Sequence, residues 1–173
     1  MVPLETSVAT AILTGLKKAD IDFVVSLPSS TLAPVIGEIG QDKHFVHVPV
    51  GNEADAIGVC AGAWLGGRKP AFLCINEGLV LATYPLLTTV NNFGGFPLLL
   101  VVDHRGEFGD RYPWYFACGT HLPRILDSFQ IPYSMVWEKE KIITEMVRGQ
   151  NTAQANGKPA AILLSGEDMY VMH

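Results

Sequence analysis

Apolar residues recur along this chain in two alternating rhythms, and the alternation predicts its architecture. Residues 4–18 carry Val8, Ile12, Leu13 and Leu16 on one face at helical spacing, with Thr6 or Ser7 able to cap the start. Residues 23–27 are a short apolar run that stops at Pro28, and 32–39 read as a second helix opened by Thr31. Phe45, Val46, Val48 and Val50 read as a buried strand and Gly51-Asn52 as its turn. Ala54, Ile57, Gly58, Ala61, Gly62 and Leu65 then return to helical spacing over 53–65. Residues 70–76 are the next strand, followed by a helix over about 80–90. The run 97–103 is continuously apolar, which suits a central strand covered on both faces. After an irregular segment, Thr120 with Pro123 opens a helix to Phe129. Residues 133–136 and 160–164 give two last strands, separated by a helix over about 139–154.

Six strands alternating with helices, with no hairpin signal, predict the α/β class: a three-layer α/β/α sandwich on a six-stranded, mostly parallel sheet with right-handed crossovers. The 173 residues, 49% hydrophobic, suffice for one well-cored domain and are too few for two, so 1–173 reads as a single domain. Ligands of such sheets gather outside the carboxyl ends of the strands. The junctions to inspect are therefore 28–31, 51–53, 76–80 and 103–118.

Charge and missing motifs narrow the chemistry. A net charge of -5 with no run of Lys or Arg argues against nucleic acid or an anionic membrane surface as partner. No apolar segment approaches the roughly 20 residues of a membrane helix, and no basic-then-apolar signal opens the chain. Cys60, Cys74 and Cys118 are odd in number and widely spaced, which fits reduced, mostly buried thiols of a cytoplasmic protein. The phosphate cradle GxGxxG, the triphosphate loop GxxxxGK[ST] and the nucleophile elbow GxSxG are all absent. Cys118 and His121 have metal-ligand spacing, but no second pair completes a site, so no metal is expected on this chain. His44 and His47 read as structural.

Glu53 stands at a strand-to-helix junction, in the first turn of a helix whose faces are small and apolar. An acid there is ordinary if exposed, because the helix dipole favours it. A functional role requires more: a position beside a cofactor, with Ile57 or Val59 supplying an apolar wall that raises the proton affinity of the carboxyl.

Four segments decide between these readings: LPSSTLAPVI (27–36), GNEADAIGVCAGAWLGG (51–67), FPLLLVVDHRGEFGD (96–110) and CGTHLPRILDSFQIPY (118–133). In this order they resemble the pyrimidine-binding domain of thiamine-diphosphate enzymes, in particular the alpha subunit of sulfopyruvate decarboxylase and the matching half of phosphonopyruvate decarboxylase. The resemblance implies the flavodoxin-like fold of thiamine-diphosphate-binding domains and a 2-oxo acid decarboxylase. It places on Glu53 the glutamate that hydrogen-bonds N1' of the aminopyrimidine and promotes the imino tautomer that deprotonates thiazolium C2. It puts the cofactor beside Pro28, Asn76, Gly78 and Leu79, and the substrate beside Ser29, Ser30, Glu77, His104 and Arg105.

Such enzymes hold the diphosphate and Mg²⁺ on a second domain, through Gly-Asp-Gly followed at a distance by Asn. This chain has no Gly-Asp-Gly, and Asn91-Asn92 precedes a strand. The resemblance thus implies half an active site, completed by a separate diphosphate-binding beta subunit within a hetero-oligomer that pairs copies of this chain. Gly58, Ala61, Gly62, Ala63 and Gly66 would let another backbone approach; tight packing on the chain's own sheet is the other reading. The chain departs from the family where substrate should bind. Relatives commonly read Ser-Gly and a later Asn after the third strand, against 76–82 here, NEGLVLA, where Glu77 adds a negative charge. Where relatives carry Gln-His, 111–116 reads RYPWYF, whose aromatics would wall a pocket, close as a lid or form an interface. His104, Arg105, Arg111 and Arg124 are available to an anion, with a plain surface charge the stronger reading for Arg124. Carboligation on the same scaffold, or a non-catalytic flavodoxin-like binding module, are the alternatives.

Overall fold

Alternate residues of the central strand go to opposite sides of the sheet. Leu99 and Val101 join one core, while Leu98, Leu100 and Val102 join the other. The computed structural model describes residues 3–92 and 94–171, apart from the side chains at 91, 92 and 167. Six strands form the sheet: β1 (Phe23–Ser26), β2 (Val46–Pro49), β3 (Pro70–Ile75), β4 (Leu98–Asp103), β5 (Tyr133–Val136) and β6 (Pro159–Leu164). Their order is β2-β1-β3-β4-β6-β5 and every pairing is parallel.

Helices cover both faces, giving the expected three layers. Val8, Ile12 and Leu16 of α1 (Thr6–Lys18), Val35 and Ile39 of α2 (Ala33–Gln41), and Met146 of α7 (Ile142–Asn156) close one core. The other is closed by α3 (Glu53–Leu65), α4 (Asn76–Leu81), α5 (Thr83–Asn92) and α6 (Phe116–Ser128). The chain leaves β1 for β2 on one side and returns to β3 on the other, so the topological switch lies between β1 and β3.

Several local expectations are corrected. β2 is an exposed edge rather than a buried strand; Val46 is 40% exposed, because only one neighbour and one flank cover it. Neither Thr6 nor Ser7 caps α1, whose N-cap is Glu5 with no side-chain capping bond to the helix. Thr31 does not open α2: Leu32 occupies the N-cap, and the Thr31 hydroxyl turns to Ser29 Oγ at 2.8 Å and to Asp103. The single helix over 80–90 is two, with α4 starting directly at the end of β3. α6 begins at Phe116, so Pro123 lies inside it rather than near its start.

Candidate active site

Local capping aims Glu53 at the switch point. Asn52 is extended and its Oδ1 accepts the Ala54 N–H at 2.7 Å, which fixes Glu53 as the first residue of α3. The half-buried Glu53 side chain lies against Gly78 of α4. A Cβ at Gly78 would stand 2.6 Å from Glu53 Oε1, 2.7 Å from Cγ and 3.0 Å from Cδ, so glycine alone leaves the carboxyl its position. Ile57 is fully buried beneath it. The neighbouring Cys74 thiol is buried and stays protonated well above its ordinary range, through burial first and then through the negative charges of Glu53 and Asp103.

The ends of β3 and β4 concentrate unpartnered polar atoms. Asn76 Oδ1, Glu77 Oε2, Asp103 Oδ2, His104 Nδ1 and Arg105 Nη1 are buried without a hydrogen-bond partner, and the one further such atom among the described residues is Gln150 Oε1. Each such group costs about 1–3 kcal/mol, so five of them clustered together mark a place built for something other than stability. Asn76 is held in place by its amide, which donates to Arg105 O at 2.8 Å. Burial pushes the Glu77 carboxyl pKa up, and the charges of Asp103 and Asp110 push the same way. Burial also raises Asp103, against hydrogen bonds from Thr31 and Tyr170. Burial lowers the pKa of His104, Glu107 opposing at 3.7 Å, so this imidazole is neutral near pH 7.

Arg105 is committed within the chain. Its Nε and Nη2 donate to Asp110 Oδ2 and Oδ1 at 3.0 and 3.2 Å, and its guanidinium carbon lies 5.6, 5.0 and 4.4 Å from the ring centres of Tyr112, Tyr115 and Tyr170. Asp110 also accepts the Gly106 and Tyr112 N–H groups at 2.8 and 3.0 Å. Burial works against this carboxylate, but those four hydrogen bonds hold its pKa below the ordinary range. Gly106, at φ +88°, would place a Cβ 2.2 Å from Tyr115 O, and Gly119 would place one 2.2 Å from Arg105 O, so the loop and α6 meet backbone to backbone. A cavity of about 160 Å³ lies between this loop and the C-terminal segment, lined by His104, Arg105, Ser165 and Tyr170 among others. It does not reach Glu53, Asn76 or Gly78.

Thus Glu53, Asn76, Gly78, Glu77, His104 and Arg105 converge on adjacent strand ends. The 28–30 segment ends β1 beside them, with Pro28 and Ser30 exposed and Ser29 turned toward Thr31. Leu79 faces the core, fully buried. Arg111 and Arg124 are exposed, Arg111 on the rim of the cavity. His44 and His47 serve structure: His44 Nε2 meets Ile21 O at 3.0 Å, and His47 Nε2 meets Ser26 Oγ at 2.8 Å. Among the described residues no group of His, Cys, Asp or Glu could hold a metal, and no helix is long and apolar enough to cross a membrane.

Over 122 residues the chain is 34% identical to sulfopyruvate decarboxylase subunit alpha of Methanocaldococcus jannaschii, a match that covers 70% of this chain and 72% of that one. The chain belongs to the sulfopyruvate decarboxylase alpha-subunit family. The subunit alpha of Methanococcus maripaludis is 33% identical over 71% of this chain and 73% of its own length. Phosphonopyruvate decarboxylase of Streptomyces viridochromogenes is 29% identical over 74% of this chain but 32% of its own. No family model matches. Among solved structures, benzoylformate decarboxylase from Polynucleobacter necessarius aligns with a TM-score of 0.72 at 20% identity, and 2-oxoglutarate:ferredoxin oxidoreductase from Magnetococcus marinus with 0.69 at 17%. The chain covers 31% and 30% of those two, which therefore share its fold over about a third of their length. For this sulfopyruvate decarboxylase alpha-subunit homologue, sequence reasoning missed Asp103, Asp110 and Tyr170. An acid ending an apolar run was the available signal for Asp103; Tyr170, near the C-terminus, offered none.

Proposed function

We propose that this chain is the pyrimidine-binding alpha subunit of a two-chain, thiamine-diphosphate-dependent 2-oxo acid decarboxylase. The observation that carries the reading is the Glu53 carboxyl, set at the topological switch against a glycine where any side chain would displace it. The residues fit a flat heteroaromatic ring: a carboxyl at one edge, the bare Gly78 beside it, and the unpartnered Asn76 Oδ1 close by. The cofactor, when bound, supplies the nucleophilic carbon and the electron sink for loss of carbon dioxide.

What the chain contributes is positioning and proton control. Glu53 holds a proton at a carboxyl oxygen for the aminopyrimidine nitrogen, Gly78 and the Asn52 cap keep that oxygen in place, and Ile57 closes the wall behind it. Cys74, kept neutral, adds no competing charge. Pro28 and Leu79 flank the ring, Leu79 through its backbone, since its side chain is in the core. Ser29, Ser30, Glu77 and the His104–Arg105 corner face the substrate. The diphosphate and Mg²⁺ fall to a beta subunit carrying Gly-Asp-Gly and Asn, a division that the relatives' designation as subunit alpha supports. Buried free thiols at Cys60 and Cys74 suit the cytoplasm.

The exposed surface supports a shared site. Gly58 and Gly62 have open space where a Cβ would stand, and Leu65 of the same helix, Leu81 of α4 and Tyr84 of α5 are 79%, 61% and 75% exposed. Apolar area of this kind, with the 112–116 loop, is what an interface burying upward of roughly 1,200 Å² needs. Co-expression with the beta subunit and measurement of carbon dioxide release from a panel of 2-oxo acids tests the function. Calorimetry tests the half-site: the isolated chain should bind thiamine diphosphate weakly, with or without Mg²⁺, and tight Mg²⁺-dependent binding would refute it.

A further inference from the structure

We infer that the cavity between the 104–112 loop and the C-terminal segment binds a small oxyanion, such as a sulfonate or phosphate, on the free edge of Arg105. A guanidinium carries five N–H donors in a fixed, forked geometry. Asp110 takes one edge of it, through Nε and Nη2 at 3.0 and 3.2 Å. The other edge ends in Nη1, which is buried and has no partner. The rings of Tyr112, Tyr115 and Tyr170 stand around the guanidinium, but a ring face offers no lone pair to complete a fork. Leaving a charged donor buried and unpaired is costly, so an acceptor from outside the chain is what this edge is missing. A planar fork of this kind matches an oxyanion in two hydrogen bonds at once.

The lining of the cavity agrees. Arg105 and His104 both belong to it, and the exposed Arg111 stands on its rim without an ion pair among the described residues. Its two acids are engaged elsewhere. Asp110 accepts four hydrogen bonds, and Glu107 Oε2 accepts Ser165 Oγ and Trp137 Nε1 at 2.5 and 3.2 Å. Asp103 and Glu77 do not line the cavity. In formal charge the two arginines offset the two acids, so the free donors decide the sign of the ligand. His104 is neutral, and its unpartnered Nδ1 can carry the N–H toward an anion. About 160 Å³ gives room for roughly six heavy atoms, enough for methanesulfonate or inorganic phosphate. Because the cavity does not reach Glu53, the anion is the far end of a substrate whose reacting end lies at that corner, or a separate effector.

The test is calorimetric titration of the full isolated chain with methanesulfonate and with inorganic phosphate, on wild type, Arg111→Glu and Arg105→Lys. Wild type should bind one anion per chain, saturably. Arg111→Glu, at an exposed position, should fold normally by circular dichroism and weaken binding by about ten-fold or more. Arg105→Lys replaces the fork with a point charge and should abolish saturable binding. Activity of the reconstituted two-chain enzyme separates the two sources. Methanesulfonate that raises KM for a 2-oxo acid at constant kcat identifies a substrate's own tail; methanesulfonate that changes kcat at saturating substrate identifies an effector. No saturable binding by wild type, or wild-type affinity in folded Arg111→Glu, overturns the inference and leaves the decarboxylase reading standing. Anion binding that responds to both substitutions, with no carbon dioxide released from any 2-oxo acid, overturns that reading and leaves the site.

Discussion

Gly78→Ala separates function from stability at the proposed catalytic corner. The new methyl carbon would meet Glu53 Oε1 at 2.6 Å and Cγ at 2.7 Å, where ordinary contact begins near 3.5 Å. The carboxyl must therefore retreat by about 1 Å. It can do so cheaply, because the atoms in the way are the outer half of a partly exposed, flexible side chain. Within α4 the substitution also gains up to about 1 kcal/mol of helix propensity. The two effects leave stability within about 1 kcal/mol of wild type, or roughly 2–4 °C in Tm. Activity should respond very differently, since about 1 Å of misplacement of a reacting group costs on the order of 100-fold in rate. The assay pairs thermal unfolding of the variant with carbon dioxide release from the reconstituted enzyme. Because the two residues act through one contact, Gly78→Ala should cost little more when Glu53→Gln is already present. Undiminished turnover, or a loss of rate accompanied by a collapse in Tm, would show that Gly78 does not set the position of the Glu53 carboxyl for activity.

Gly106→Ala should behave in the opposite way: its Cβ would meet backbone rather than a mobile side chain, and at φ +88°, so on the order of 3 kcal/mol of stability and roughly 10 °C in Tm should be lost by calorimetry. Asp110 has a pKa depressed on folding, so its stabilisation is present above the ordinary carboxylate pKa and is lost as pH falls through the depressed folded value. Asp110→Asn should lower Tm at pH 7 and flatten its fall as pH drops below the ordinary carboxylate pKa; a wild-type acid limb in the variant would contradict this. Gly62→Leu meets open space in the isolated chain, so it should fold normally by circular dichroism yet shift the complex to smaller species by light scattering.

The layered architecture was legible because strands covered on both faces, such as β4 and β6, read as unbroken apolar runs. Residues at their carboxyl ends then followed from topology, which is why Glu53, Asn76 and Arg105 were found together. Edge strand β2 was misread because its valines give the same apolar signal as a covered strand, while its exposure depends on sheet order. The start of α4 was hidden by Asn76-Glu77-Gly78, residues that favour turns in isolation; here Asn76 is anchored by Arg105 O and Gly78 is required by Glu53. Asp103, Asp110 and Tyr170 could not be joined from sequence. Asp110 meets Arg105 within their own loop, but the contacts of Tyr170 with Arg105 and Asp103 exist only once the C-terminal segment pairs with the start of the chain, through Leu4 and Tyr170.

On the proposed function, Glu53 controls the proton on which the cofactor's activation depends. The most direct test of that role is Glu53→Gln in the reconstituted two-chain enzyme, where the amide fills the same space but cannot relay a proton. Glu53→Gln should leave the fold and assembly mass unchanged, weaken retention of thiamine diphosphate, and reduce carbon dioxide release by a factor on the order of 100 or more. Turnover near wild type in that variant would contradict the role.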